Sequence, residues 1–158
     1  MPIVVDRNLE FVHPANVQAL AYWQSKCGPR AMPARADLDP LEMRGFLANV
    51  ALVDVLPREG RPSEFRIRLA GAAIEDVFGP VSARLLTDAV PAATAARWAG
   101  MFQATIDARG PIRVSGRVSY EKMDYLETEA LFAPLADAGA DISMLFASAA
   151  FWSETEKP

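Results

Sequence analysis

Thiol and imidazole groups are scarce in this sequence, which has one cysteine and one histidine among 158 residues. A lone cysteine, Cys27, excludes an internal disulfide and suits a reducing compartment, so we expect a cytoplasmic protein. A catalytic set of the Ser-His-Asp or Cys-His kind would have to use His13, and no glycine-rich phosphate loop is present. We therefore expect no enzymatic activity, a solvated His13, and a Cys27 that acts as a small buried apolar residue.

Long apolar runs and clusters of basic residues are also missing. The longest apolar stretch, 142–152, is the size of a strand, whereas a membrane helix needs about 18–20 residues. The first seven residues lack the basic and apolar regions of a signal peptide. Lysine and arginine total 16 against 20 acidic residues, for a net charge of −4, and they are scattered along the chain. We thus expect neither a membrane nor a nucleic acid as partner.

Apolar side chains are abundant, at 51% of the residues, which is enough for a core in a chain of this length. We predict an arm over 1–13, a single domain over 14–152 and a tail over 153–158. The order of the hydrophobic patterns predicts an α+β fold. In it, a five-stranded antiparallel sheet carries helices on one face, and an N-terminal helix precedes the sheet.

Helix signals occur in three parts of the chain. The first helix is predicted from a cap at Asn16 to Cys27, where Gly28-Pro29 stops it. A short helix begins at Asp39-Pro40, with Glu42 completing a capping box. The middle of the chain is predicted to be helical over 72–78, with a turn at 85–90, and over 91–109.

Strand signals predict a hairpin of 50–56 and 65–70, in which Asp54 meets Arg66 or Arg68. Three more strands are predicted over 112–120, 125–135 and 142–152, the last after a turn at 136–140. Pairing Val118 with Leu126 places Glu127 opposite Arg117 and Glu129 opposite Ser115 on a wet face. The first and last strands are apolar on both faces, which favours neighbouring central positions.

The stretch 65–79 changes from period two to helical period at Gly71, so here the chain leaves the sheet and begins to cover it. A ligand cavity is expected between sheet and cover. Its candidate lining residues are all apolar: Phe65, Ile67, Leu69, Ile74, Phe78, Trp98, Met101 and Phe102.

Five blocks of the sequence together carry a family resemblance. The most specific block is Pro33-Ala34-Arg35-Ala36-Asp37-Leu38-Asp39-Pro40. The others are Ala21-Tyr22-Trp23, Phe65–Gly71, Phe78-Gly79 and Ala133–Gly139. These blocks resemble those of short, single-domain bacterial PAS proteins with a helical N-terminal extension, and the resemblance covers about residues 18–150. It implies a sensory or regulatory module for signal transduction, one that carries no output domain and acts through protein association and binding of a small apolar ligand.

The resemblance also implies a homodimer through the first helix, with Leu20 and Trp23 at the interface, and a signalling protein as a further partner. A haem in such a domain needs a histidine on the long helix, and 91–110 has none. A covalent flavin or chromophore needs a cysteine in the pocket, and Cys27 lies elsewhere. We expect no cofactor and no metal.

Two other interpretations stay open at this stage. A small enzyme, such as an isomerase or hydrolase with an apolar cavity under a curved sheet, would need an acid or base inside that cavity. A purely structural interaction domain would have a filled core. The polar residues Arg35, Asp37 and Arg68 have either a structural role, with Arg35 and Asp37 paired, or a role at a partner interface.

Overall fold

The structure is a computed structural model, and it describes residues 3–137 and 141–158. One antiparallel sheet holds the described strands, in the order β1-β5-β6-β7-β2-β3-β4. Their bounds are β1 Val4–Asp6, β2 Val50–Arg58, β3 Arg61–Ala70, β4 Arg84–Leu85, β5 Ile112–Arg117, β6 Glu127–Ala136 and β7 Ile142–Trp152. The α+β class is confirmed, but the described sheet has seven strands rather than five. Short edge strands at both ends make the difference.

Four α-helices and several 3-10 turns complete the described chain. The helices are α1 Pro14–Cys27, α2 Ala72–Phe78, α3 Leu86–Ala89 and α4 Ala92–Ala108. The 3-10 turns span Arg35–Asp37, Pro40–Met43, Leu47–Asn49 and Glu154–Glu156. As predicted, the side chain of Asp39 caps the second turn by accepting a hydrogen bond from the amide of Leu41. The predicted turn over 136–140 lies largely outside the described residues.

The predicted register is confirmed. Arg117 pairs with Glu127, Ser115 with Glu129, and Val114 with Ala130, and the amide of Val118 donates to the carbonyl of Leu126. β7 lies between β6 and β2 near the middle of the sheet, as the apolar character of both its faces predicted. Strand β1, from the predicted arm, pairs with β5 and so extends the sheet at that edge.

Each face of the sheet has its own apolar core. On the inner face, α2, α3 and α4 cover a cluster that includes Val53, Phe102 and Ala147. On the outer face, α1 and the segment 32–46 cover a cluster that includes Trp23 and Phe146. The outer side of β2 therefore has the cover that its apolar pattern demanded.

Helix α1 begins two residues earlier than predicted. Its cap is His13, whose Nδ1 accepts a hydrogen bond from the amide of Ala15, and Pro14 takes the first helical position. The predicted cap, Asn16, instead lies fully buried inside the helix. The prediction that His13 is solvated was also wrong, because this residue is half-buried and its ring stacks on that of Trp152 at a centroid distance of 5.9 Å.

Gly71 stands where β3 passes into α2. A Cβ atom at this position would overlap the backbone carbonyl of Ala48, because the two segments of chain approach each other closely here. The amide of Gly71 also donates to the carbonyl of Val50 at 2.8 Å. The approach fixes the point at which the chain leaves the sheet to cover the inner face.

We predict that Gly71→Ala lowers the free energy of unfolding by about 1–3 kcal/mol, because the new methyl group displaces backbone rather than a flexible side chain. Gly100→Ala is the matched control. Gly100 lies within α4 with open space around its Cα, so alanine there should raise stability by about 0.5–1 kcal/mol. Urea denaturation measures both. Equal effects of the two substitutions would contradict the close approach.

Candidate functional site

A cavity of about 100 Å³ lies between the inner face of the sheet and helices α2 and α4. Its walls are mainly apolar. The residues around it are Ile3, Val53, Ile74, Phe78, Thr94, Arg97, Trp98, Met101, Phe102, Val114, Val118, Ser119, Thr128, Ala130, Phe132, Ala147, Ala149 and Phe151. The sheet thus contributes small and β-branched side chains together with Phe132 and Phe151, and α2 and α4 contribute mostly larger ones.

An aromatic cluster centred on Phe78 forms one wall of the cavity. The Phe78 ring meets the rings of Trp98, Tyr120 and Phe151 edge to face, at centroid distances of 4.7, 5.1 and 5.7 Å. Edge-to-face contacts of this kind add to the stability that burial alone provides. The last residue of α2 is in this way attached to α4, to β7 and to the segment after β5.

The structure brings most of the predicted pocket residues together. Five line the cavity directly, and they are Ile74, Phe78, Trp98, Met101 and Phe102. Phe65 and Ile67 are buried in the same apolar cluster but outside the cavity wall.

Leu69 is elsewhere, because a β-bulge at Arg68 shifts the alternation of β3. Ile67 pairs with Val53, but Leu69 pairs with Leu52, so one extra residue stands on β3 between these pairs. Leu69 therefore points to the outer face, where it is 36% exposed. The strict period of two that placed Leu69 in the pocket does not hold past the bulge.

Four side chains of the cavity lining carry polar groups: Thr94, Arg97, Ser119 and Thr128. Among the described lining residues, none is an aspartate, glutamate, histidine or cysteine. The two buried carboxylates Asp54 and Glu129 both point to the other face of the sheet. Sequence analysis missed Arg97, although its spacing from Thr94, Trp98 and Met101 places it on the same side of α4.

The outer face holds a polar centre at Glu129, which sequence analysis wrongly placed on a wet face. Its carboxylate is fully buried. Oε2 accepts from the amide of Val12 at 2.8 Å and Oε1 from that of His13 at 2.9 Å. Arg113 forms an ion pair with it at 2.9 Å. Water is excluded from this face because the arm and α1 cover it. The carboxylate therefore holds the arm and α1 against the sheet and is not one of a row of solvent-exposed charges.

Asn16 extends this network into the sheet. Its Nδ2 donates to the Glu129 side chain and backbone, and its Oδ1 accepts from the hydroxyl of Ser148 at 2.7 Å. Burial by itself would raise the pKa of Glu129. The amides of His13 and Val12, then Asn16 and Arg113, outweigh burial and hold the pKa below its ordinary value.

The polar residues singled out in the sequence have mainly local contacts. Asp37 pairs with Arg30 at 2.8 Å rather than with Arg35, so the predicted Arg35–Asp37 pair is wrong. Arg35 reaches only the carbonyl of Leu38, at 3.4 Å. The amide of Ala34 and then Arg30 lower the pKa of Asp37. Arg68 pairs across the hairpin with Asp54 at 2.9 Å, which is one of the two contacts predicted for Asp54.

The apolar side of α1 is turned toward its own sheet. Trp23 is buried, and its Nε1 donates to the carbonyl of Pro134 at 3.0 Å. Leu20 is half-buried against the same cluster. Cys27, near the end of the helix, is half-buried, and burial raises the pKa of its thiol. Trp23 thus packs on the sheet of its own chain.

A sheet covered on both faces, with a small, mainly apolar cavity under one cover, defines the class as an α+β domain. A family model described as PAS domain (PAS_5) matches residues 11–148. The chain therefore belongs to this family of PAS domains. The comparisons with curated proteins and with solved structures gave no match. No described helix is long and apolar enough to cross a membrane.

We predict that Glu129→Gln lowers the free energy of unfolding at pH 7 by about 2–4 kcal/mol, because a neutral amide cannot accept from all of these donors. Since the folded-state pKa is lowered, the carboxylate stabilises the fold above the unfolded-state pKa of about 4.3, and this stabilisation is lost as pH falls through the folded-state value. The difference between wild type and variant should therefore shrink below about pH 4.

Urea denaturation at pH 7, 5 and 3.5 measures this difference. Glu59→Gln is the matched control, because it removes the same charge from an exposed position in the hairpin turn. We expect the control to stay close to wild type throughout. A wild-type-to-variant difference for Glu129→Gln that is the same at every pH would contradict the assigned role of the carboxylate.

Proposed function

We propose that this PAS domain is a sensory and regulatory module that binds a small, mainly apolar ligand between its sheet and helices. The cavity under α2 and α4 is the observation that carries the proposal. Its walls join β5, β6 and β7 to both helices, so a ligand there would contact every layer of the inner face. Burial of apolar ligand surface against these walls would supply the binding free energy.

The volume of the cavity limits the ligand. An apolar cavity of about 150 Å³ suffices to bind benzene, and typical sites for drug-sized ligands measure about 300–1,000 Å³. A cavity of about 100 Å³ suits a body of a few carbon atoms. Haem and flavin are far larger, so we propose a small metabolite rather than a cofactor.

We further propose that the signal leaves the domain by association, with a second copy of the chain or with a signalling protein in the cytoplasm. The apolar side of α1 already packs on the sheet. What remains exposed near the start of α1 is Val12 and Val17, each 49% exposed. We assign the contact to this side of the helix rather than to Leu20 and Trp23. The lack of an acid or base among the described lining residues gives the enzyme alternative no support.

We predict that Ala147→Leu fills the cavity and abolishes binding of an apolar probe. Ala147 lies on β7 in the cavity wall and is buried. Xenon under pressure, an apolar probe smaller than benzene, should raise the melting temperature of wild type and leave that of the variant unchanged. Ala21→Leu, on the exposed side of α1, is the matched control and should respond as wild type does. Native mass spectrometry of purified wild type should show an added mass that Ala147→Leu lacks.

An equal response of wild type and Ala147→Leu to xenon would contradict ligand binding in this cavity.

We predict that wild type sediments as a dimer at high concentration and that Val17→Glu shifts it to monomer, because a charge in an apolar contact is costly to bury. Ala93→Glu, at an exposed position of α4 on the opposite side of the sheet, introduces the same charge and should leave the dimer intact. Sedimentation velocity over a range of concentrations measures both. A wild type that stays monomeric at every concentration would contradict the proposed association.

A further inference from the structure

We propose that the ligand of this cavity is a short-chain monocarboxylate whose carboxylate binds Arg97. The inference rests on the proposed function and names the ligand class for the same site. Arg97 belongs to α4 and lines the cavity beside Thr94 and Trp98. Its guanidinium carries the one formal charge among the described lining residues, and that charge is positive.

Arg97 lines an apolar cavity without an acidic partner among the described residues. Several other cations of this chain form ion pairs: Lys26 with Glu42, Arg30 with Asp37, Arg68 with Asp54, and Arg113 with Glu129. Among residues 3–137 and 141–158, no carboxylate pairs with Arg97. A guanidinium at an apolar cavity favours an anion at that place, since a charge-assisted hydrogen bond is about twice as strong as a neutral one.

The hydrogen bonds of Arg97 fix its head and leave donors available. Nη2 donates to the backbone carbonyl of Ser119 and, at 3.3 Å, to the hydroxyl of Thr94. The N–H groups of Nε and Nη1 have no acceptor within the described part of the chain. Because Ser119 is exposed whereas Phe102 is buried, the guanidinium lies at the rim of the cavity. A carboxylate at this rim can bind the remaining donors while its carbon chain enters the apolar space.

Charge and size then select the class of ligand. One cation matches one negative charge, which disfavours dicarboxylates and phosphate esters because their second charge would find no second cation among the described lining residues. The cavity of about 100 Å³ holds a chain of about four or five carbon atoms, fewer than the six of benzene in the larger cavity of about 150 Å³. Hexanoate is therefore a suitable probe, and hexanamide is its neutral counterpart of nearly the same shape.

The test compares these two probes by isothermal titration calorimetry at pH 7. Wild type should bind hexanoate about 10- to 100-fold more tightly than hexanamide, as expected for a hydrogen bond to a charged group. Arg97→Gln should bind both with similar affinity, at the level of hexanamide on wild type. Arg97→Lys keeps the positive charge and should retain part of the preference. Circular dichroism and melting temperature establish that both variants are folded.

The outcomes separate this inference from the proposed function. Equal binding of hexanoate and hexanamide to wild type would overturn the carboxylate assignment and leave the apolar ligand site intact. A preference for hexanoate that persists unchanged in Arg97→Gln would overturn the role of Arg97. No binding of either probe, together with no stabilisation by xenon, would overturn both the inference and the proposed function.

Discussion

The buried carboxylate of Glu129 is the constraint on which the rest of the structure depends. An ionised carboxylate removed from water is strongly destabilising unless hydrogen-bond donors replace the water. Here the donors come from three places in the chain: the amides of Val12 and His13, the side chain of Asn16 in α1, and Arg113 on β5. The sheet alone cannot satisfy this residue, so β6 and the N-terminal segment must form together.

The same strands carry this network on one face and the cavity on the other. Arg113 points outward and Val114 inward, and Glu129 and Ala130 alternate in the same way on β6. On β7, Ser148 meets Asn16 whereas Ala147 and Ala149 line the cavity. Because packed interiors are dense and transmit strain, a ligand that displaced these strands would also displace α1. The proposed ligand site and the helix that carries the proposed association surface thus contact neighbouring residues of the same strands, on opposite faces of the sheet.

Local patterns predicted the sheet well and its coverings poorly. The pairing of Val118 with Leu126 followed from alternation alone, since one register satisfies both strands. Alternation assigns a residue to a face but does not say what covers that face. Glu129 was therefore placed correctly opposite Ser115 and wrongly in water. The bulge at Arg68 leaves no trace in the apolar pattern, so Leu69 was assigned to the wrong side.

The polar rim of the cavity illustrates a signal that was present in the sequence and not used. Read as an apolar stripe, α4 shows Trp98, Met101 and Phe102, and these lie in the cavity wall. Arg97 follows Thr94 by three residues and precedes Met101 by four, which places the three on the same side of the helix. A cation on a helix face that must cover a sheet requires an explanation, because burying an unpaired charge is costly. Where no acid of the described chain supplies the counter-charge, the anion proposed for the rim would supply it.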